Sequence, residues 1–327
     1  MRYAVIGSNS FSGSHFVAHL LAQGASVLGI SRSPEVARVF RPYSWKELPG
    51  SWQFAQTDIR DTPRLAAVLK EFDPRVVMNF AAQSMVAQSW EYPDHWYRTN
   101  VEALAMLAAE LQALRNLQKF VQVTTPEVYG STGGWLAESR NFHPSTPYAV
   151  SRAAGDMHLL AMHKTWGFPV CLTRAANVFG PGQQPYRIVP KSLLAARLGR
   201  KLRLEGGGQS TRSFIHISDV AEATLQIAEN GVPGETYHIS TDEIISIRGL
   251  VEKVCRLTSV EFEALVTEAP DRPGKDDTYM LDSSRLRQEL KWSPSISLES
   301  GLMDTLNWVD ENLGVLAKAE ESYVHQK

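Results

Sequence analysis

The sequence predicts an α/β fold, a doubly wound parallel sheet with a smaller C-terminal lobe. Three observations carry this. Short apolar runs of strand length alternate with helical patterns through the first half of the 327 residues. A glycine-bounded turn, GSNSFSG, joins the first run to the first helix. Beyond about Phe179 the pattern breaks into shorter pieces rich in Gly, Pro and charge.

Taken in order, residues 3–6 read as a buried strand, 13–23 as a helix and 26–30 as a second strand. Further strands are expected at 76–80, 120–124 and 170–172. A helix opens at Thr62, read as a cap, with Pro63 in its first turn. Leu104, Leu107, Ala108, Leu111 and Leu114 recur at helical spacing and mark one apolar face. The expected division is a Rossmann domain over 1–178 with parts of 213–240, interleaved with a substrate-binding lobe over 179–327. The final ESYVHQK reads as a frayed tail.

Composition excludes several classes. Hydrophobic residues are 43%, charged residues 21% and the net charge is -2, so nothing tracks a nucleic-acid backbone. Two cysteines, Cys171 and Cys255, are too few for a disulfide framework or a cysteine metal site, and no metal is expected. The first strand begins almost at once, so no signal peptide is expected. No apolar run is long enough to span a bilayer, so a cytoplasmic location is expected.

The turn after the first strand holds Gly7, Ser10, Phe11, Ser12 and Gly13. Such a turn lets backbone N–H groups and a helix N-terminus approach a pyrophosphate. Ser10 stands where a middle glycine is expected, and its hydroxyl could donate to phosphate. The second strand ends in Ser31, Arg32 and Ser33, without the carboxylate that holds an NAD ribose. A guanidinium there suits a 2′-phosphate, so NADP is expected over NAD. Asp58, followed by Ile59, could accept from the adenine amino group, and Phe80, Ala81, Ala82 and Gln83 let a cofactor lie against the backbone.

TTPEVYG places Thr125 and Glu127 at a strand's C-terminal end, and PYAVSRAAGD places Tyr148 and Arg152 one helical turn apart. A cation one turn away favours the phenolate and is expected to lower the Tyr148 pKa, so that the pair takes a proton from a carbinol.

These motifs, with NFAAQS, RAANVFGPGQ, TRSFIHISDV and DRPGKDDTYMLDSSRLRQELKW, resemble the extended short-chain dehydrogenase/reductases of the nucleotide-sugar epimerase/dehydratase family over nearly the whole chain. The resemblance is strongest to the dTDP-glucose 4,6-dehydratase type, whereas GISRS is similar to the NADP-using GDP-mannose enzymes. It implies a nucleotide-diphosphate sugar as substrate. Tyr148, hydrogen-bonded to Thr125, would deprotonate the C4 hydroxyl as hydride passes to nicotinamide. Glu127 would remove the C5 proton as water leaves C6, and hydride would return to C6. It implies substrate contacts at Ser84, Thr125, Asn177, Lys191, Arg212 and Arg272, and a homodimer built from two helices around 103–114 and 153–163.

Three residues depart from the family pattern. Pro126 replaces an aspartate that protonates the departing hydroxyl, Arg152 replaces a lysine, and Met85 replaces a histidine. A 4-epimerase, a UDP-glucuronate decarboxylase or a 5,6-dehydratase uses the same scaffold. A non-catalytic NADP-binding sensor would have no use for Thr125, Glu127 and Tyr148 together.

Overall fold

The computed structural model describes residues 1–131, 133–270, 280–319 and 323–326. Six strands of the central sheet come first in chain order: β1 (Arg2–Ile6), β2 (Ser26–Ser31), β3 (Ser51–Gln56), β4 (Val76–Asn79), β5 (Lys119–Val123) and β6 (Val170–Ala175). Short strands β7 (Asn177–Phe179), β8 (Thr211–Arg212) and β9 (Phe214–His216) lie outside that sheet, and β10 (Thr236–Ile239) returns to its edge. The seven-stranded order is β10-β6-β5-β4-β1-β2-β3, parallel throughout. The chain winds outward from β1 to β3, then reverses to β4 on the other side of β1. Ligands of open α/β sheets bind at the carboxyl ends beside such a reversal.

Alternation along the strands explains why both faces are covered. Tyr3 and Val5 enter one apolar cluster, while Ala4 and Ile6 enter another across the sheet. The first cluster packs α1 (Phe11–Ala22), and the second packs α2 (Thr62–Phe72), α3 (Leu104–Gln112) and α4 (Pro147–Trp166). Parallel strands buried on both faces need apolar residues at successive positions, which these runs supply.

The C-terminal lobe is assembled from α5 (Ile188–Leu198), α7 (Ile247–Thr258) and α8 (Leu298–Glu311), whereas α6 (Ile217–Asn230) packs on the sheet. Leu193, Val254 and Leu302 share the lobe's core with Phe214 of β9. Asp219 on α6 fastens the lobe to the sheet layer. Its buried carboxylate accepts from Ser295 N at 3.0 Å, Ser295 Oγ at 2.8 Å and Ile296 N at 3.0 Å. Charge-assisted bonds of this kind are about twice as strong as neutral ones.

Two expected boundaries move for identifiable reasons. The first helix starts at Phe11, because Ser10 caps it by accepting from Gly13 N. The cap of α2 is Asp61, whose carboxylate accepts from Arg64 N, and Thr62 is already helical. The tail also departs from expectation: Tyr323 and His325 are half-buried against the body of the protein. Among the described residues no helix is long and apolar enough to cross a membrane.

Candidate active site

A cavity of about 350 Å³ opens at the carboxyl ends of β1, β2 and β4. Of the expected cofactor residues, Gly7, Ser10, Ser31, Arg32, Ser33, Asp58, Ile59, Phe80, Ala81, Ala82 and Gln83 line it. The backbone is shaped to admit a ligand closely. Gly7 has φ +84°, and a Cβ there would lie 2.6 Å from Ala81 N; at Gly13 it would lie 2.3 Å from Gly7 O. Only glycine fits either position. A dinucleotide fits this cradle, with the N-terminus of α1 beside it, an end that favours a pyrophosphate.

Several side chains have other work than expected. The Ser10 hydroxyl donates to Gly7 O at 2.7 Å and accepts from Gly13 N, so it closes the turn instead of reaching for phosphate. Ser31 Oγ accepts from Asn9 N at 3.0 Å, and Ser33 Oγ accepts from Asn9 Nδ2 at 3.1 Å, which ties the turn to the end of β2. Asp58 is bound by the Arg60 side chain at 2.8 and 3.1 Å. Burial would raise its pKa, but the Arg60 hydrogen bonds outweigh it and hold the carboxyl below its usual range. Its oxygens are thus engaged by an arginine before any adenine arrives. Arg32 is exposed at the cavity.

The catalytic side is built on β5 and α4. Thr125 caps a 3-10 turn over Pro126–Tyr129, its hydroxyl accepting from Glu127 N at 3.3 Å. Thr146 caps α4, which places Tyr148 in the first turn. Tyr148 and Thr125 are both buried, and the Thr125 hydroxyl hydrogen-bonds the phenol. Arg152 is buried below them and donates to Val123 O.

The expected lowering of the Tyr148 pKa is not the net outcome. Burial dominates and pushes it up; Arg152, the Thr125 hydrogen bond and Arg187 pull it down, while the Glu127 charge adds to the rise. The cation acts in the expected direction, but desolvation of the phenolate is the larger effect.

Two buried networks hold these parts in register. Asn100 lies in a π-helical segment, Arg98–Ala103, a distortion frequent at functional sites. It exchanges hydrogen bonds with the Gln83 backbone, N to Oδ1 and Nδ2 to O, both 2.9 Å, and donates to Ser151 Oγ at 2.9 Å. The cofactor loop is thereby joined to the helix of Tyr148. In the second network Asp156 of α4 pairs with Arg174 of β6 at 2.8 Å and accepts from Thr124 Oγ1 at 3.1 Å. Arg174 also donates to the Tyr129 hydroxyl, which contacts His238 Nε2 at 2.9 Å.

The residues implied for the sugar nucleotide are dispersed around the rim. Asn177 starts β7, its N–H donating to Ser213 O at 3.0 Å beside Arg212 of β8. Lys191 lies on α5, one turn beyond its cap Arg187, and Ser84 is exposed at the cavity loop. Arg272 lies outside the described residues. Pro126 is buried and Met85 caps the short helix after the loop. Sequence reasoning missed Asn9, Thr99, Tyr186 and Gln326 in the cavity wall, and Arg187 near Tyr148. Among these, the only local sign was the tyrosine–arginine pair in PYRIVPK.

A glycine cradle at the reversal of a parallel sheet, facing a buried tyrosine hydrogen-bonded to a strand-end threonine, defines an extended short-chain dehydrogenase/reductase. The model for GDP-mannose 4,6 dehydratase matches residues 5–305, and the chain belongs to that family. It is 31% identical over 326 residues to a dTDP-glucose 4,6-dehydratase of Xanthomonas campestris pv. campestris, covering 94% of this chain and 92% of that one. A solved dTDP-glucose 4,6-dehydratase from Streptomyces venezuelae, with NAD bound, superposes with a TM-score of 0.88 at 31% identity, covering 96% and 98% of the two chains. A UDP-glucose 4-epimerase from Thermotoga maritima gives 0.87 at 25% identity, over 96% and 100%.

The Asp156–Arg174 pair makes a measurable prediction. Arg174→Met leaves a carboxylate buried and unpaired, at a cost of about 3–5 kcal/mol. Adding Asp156→Leu to it should recover much of that loss in urea unfolding. A double variant no more stable than Arg174→Met alone would show that the pair is not coupled.

Proposed function

We propose that this chain is a cytoplasmic NDP-hexose 4,6-dehydratase, a hydro-lyase that converts a nucleotide-activated hexose to its 4-keto-6-deoxy form. The observation that carries it is Glu127 beside the Tyr148–Thr125 pair: its charge reaches the phenol, so a carboxylate and a tyrosine can act on neighbouring sugar carbons. Residues 1–178, with parts of 213–240, hold most of the dinucleotide site, and 179–327 is mainly the sugar-nucleotide lobe, interleaved with it through Tyr186 and Gln326 in the cavity wall. Asn177, Lys191, Arg212 and Arg272 supply amide and cationic donors to its diphosphate.

A dinucleotide held by the Gly7–Gly13 turn and the Phe80–Gln83 loop would supply the hydride acceptor for C4 and the hydride donor for C6. Tyr148 removes the C4 hydroxyl proton, assisted by the Thr125 hydrogen bond and the Arg152 charge. The C4 ketone acidifies the C5 proton, which Glu127 takes. Leaving water needs a proton at the C6 oxygen, and Pro126 has none. Glu127 can deliver the one it has just taken, so the elimination balances within a single side chain, with Ser84 or a bound water as the other source; the proton that Tyr148 took from the C4 hydroxyl then balances the one C5 regains, through Glu127 or water, as hydride reaches C6.

Incubation with a panel of nucleotide sugars, read by mass spectrometry, should show loss of one water without net cofactor reduction. Loss of carbon dioxide, or an unchanged mass with a new stereocentre, eliminates this reading in favour of a decarboxylase or an epimerase. Tyr148→Phe should slow the first oxidation by about 10²–10⁴-fold. Glu127→Gln should stop at the 4-keto stage with reduced cofactor accumulating, visible by its absorbance.

Arg32 supports NADP as the preferred dinucleotide, since it stands exposed at the cavity and β2 ends there in Ser31-Arg32-Ser33 without a carboxylate of its own. The Michaelis constant for NADP should be below that for NAD, and Arg32→Ala should raise only the former. Equal use of both cofactors by the unaltered enzyme removes this preference.

A homodimer through α3 and α4 is supported by Met106 and Met157, which are 50% and 58% exposed on those helices. Light scattering should give twice the chain mass, and Met157→Glu should shift it toward one chain; an unaltered protein at one chain mass overturns the dimer.

A further inference from the structure

The end of the chain returns to the dinucleotide cavity. The Gln326 carbonyl accepts from Gln83 Nε2 at 2.9 Å and from the Arg32 guanidinium at 3.3 Å. Arg32 follows β2 and Gln83 follows β4, the two strands flanking β1, so one carbonyl bridges opposite sides of the cleft. Tyr323 packs edge-on against Tyr186, another residue of the cavity wall, with ring centroids 5.7 Å apart. Between these anchors the His325 ring stacks on Tyr92, His95 and Trp96 at 5.4, 5.1 and 5.0 Å, and its Nε2 lies 2.8 Å from His95 Nδ1. Four residues thus make two hydrogen bonds across the cleft, a third to a buried histidine, and aromatic contacts on both sides.

We propose that Tyr323–Gln326 is a wall of the dinucleotide site, a strap that retains the bound cofactor between turnovers. The proposal rests on the dinucleotide-binding reading above. Gln326 and Val324 are exposed, and a cavity of about 350 Å³, with Gln326 in its wall, remains alongside the strap. Retention suits the chemistry proposed, because a hydride removed and returned within one turnover leaves nothing to exchange. His325 is the latch: its ring packs on Tyr92, His95 and Trp96, none of which is among the residues lining the cavity, so it anchors the strap from outside that wall. The strap is a positioning element and takes no part in bond making.

The test compares the full chain with a variant ending at Ser322 and with full-length His325→Ala. Each is loaded with NADH or NADPH, and the departure of fluorescent reduced cofactor is followed after mixing with excess oxidised cofactor. Loss of these contacts should speed departure by about three- to tenfold in His325→Ala and by more in the truncated variant, since a single hydrogen bond or ring contact is worth about two- to tenfold. Thermal midpoints should remain close to that of the full chain, which separates release from unfolding. An unchanged departure rate in folded variants overturns the strap. Slower departure or tighter binding also overturns it, and identifies the segment as a plug that competes with cofactor. Failure of the full chain to bind either reduced cofactor overturns the dinucleotide reading itself, a result distinct from any difference between variants.

Discussion

The sugar-facing half of the site depends on one buried ion pair. Arg174 and Asp156 are 0% and 1% exposed, and between them they touch every element that carries a catalytic group. Asp156 belongs to the helix of Tyr148 and Arg152, Thr124 precedes Thr125, and Tyr129 closes the turn that bears Glu127. Arg174 lies over the Tyr129 ring at 4.5 Å and the Phe142 ring at 5.2 Å, so its planar face is packed as well as its edge. Burying two charges costs several kcal/mol each before their attraction is counted. The pair is accordingly a poor source of stability, and its Nε is left without a partner among the described residues. What it supplies is a fixed spacing between strand, turn and helix. Catalytic groups need that spacing held to a fraction of an ångström.

The cofactor half is held by a different device, the absence of side chains. Gly7 lets the first turn close against the Phe80–Ala81 backbone, and Gly155 lets α4 approach Asn100 O, where a Cβ would sit 2.8 Å away. Through that second contact Asn100 reaches both Gln83 and Ser151. The two halves therefore meet at α4, with Asn100 on one side of it and Arg174 on the other. Movement of either network would shift Tyr148 relative to the cofactor cradle.

How much of this could be read from the sequence follows from how local each feature is. The turn at Gly7 and Gly13, the threonine at the end of β5 and the Tyr148–Arg152 spacing are short-range patterns, and each was legible as such. Asn100, Arg187 and Gln326 were not, because their roles are set by topology. Gln326 meets Arg32 across 294 positions, and nothing near either residue announces the other. Chemistry read from residue type alone was also incomplete. Ser10 looked like a phosphate donor and Asp58 an adenine acceptor, yet local partners engage both. The rise in the Tyr148 pKa required knowing how deeply α4 is buried, which the tyrosine–arginine spacing does not report.

Pro126 is the departure that bears most on the reaction, and its surroundings show what the substitution leaves in place. A proline in the first turn of a short helix sacrifices no hydrogen bond, since an N–H there has no helical acceptor. The 3-10 turn thus survives the change, and with it the bond from Glu127 N to Thr125 Oγ1. The same hydroxyl hydrogen-bonds the Tyr148 phenol. Accepting from one group makes a hydroxyl a better donor to the next, so the turn that carries Glu127 strengthens the bond that favours the phenolate. Proline at position 126 offers no proton, but it leaves in place the coupling between Tyr148 and Glu127, the two groups proposed for the oxidation and the elimination. A turn that keeps this coupling with proline at position 126 is compatible with the proposed reaction, in which Glu127 itself serves the C6 oxygen.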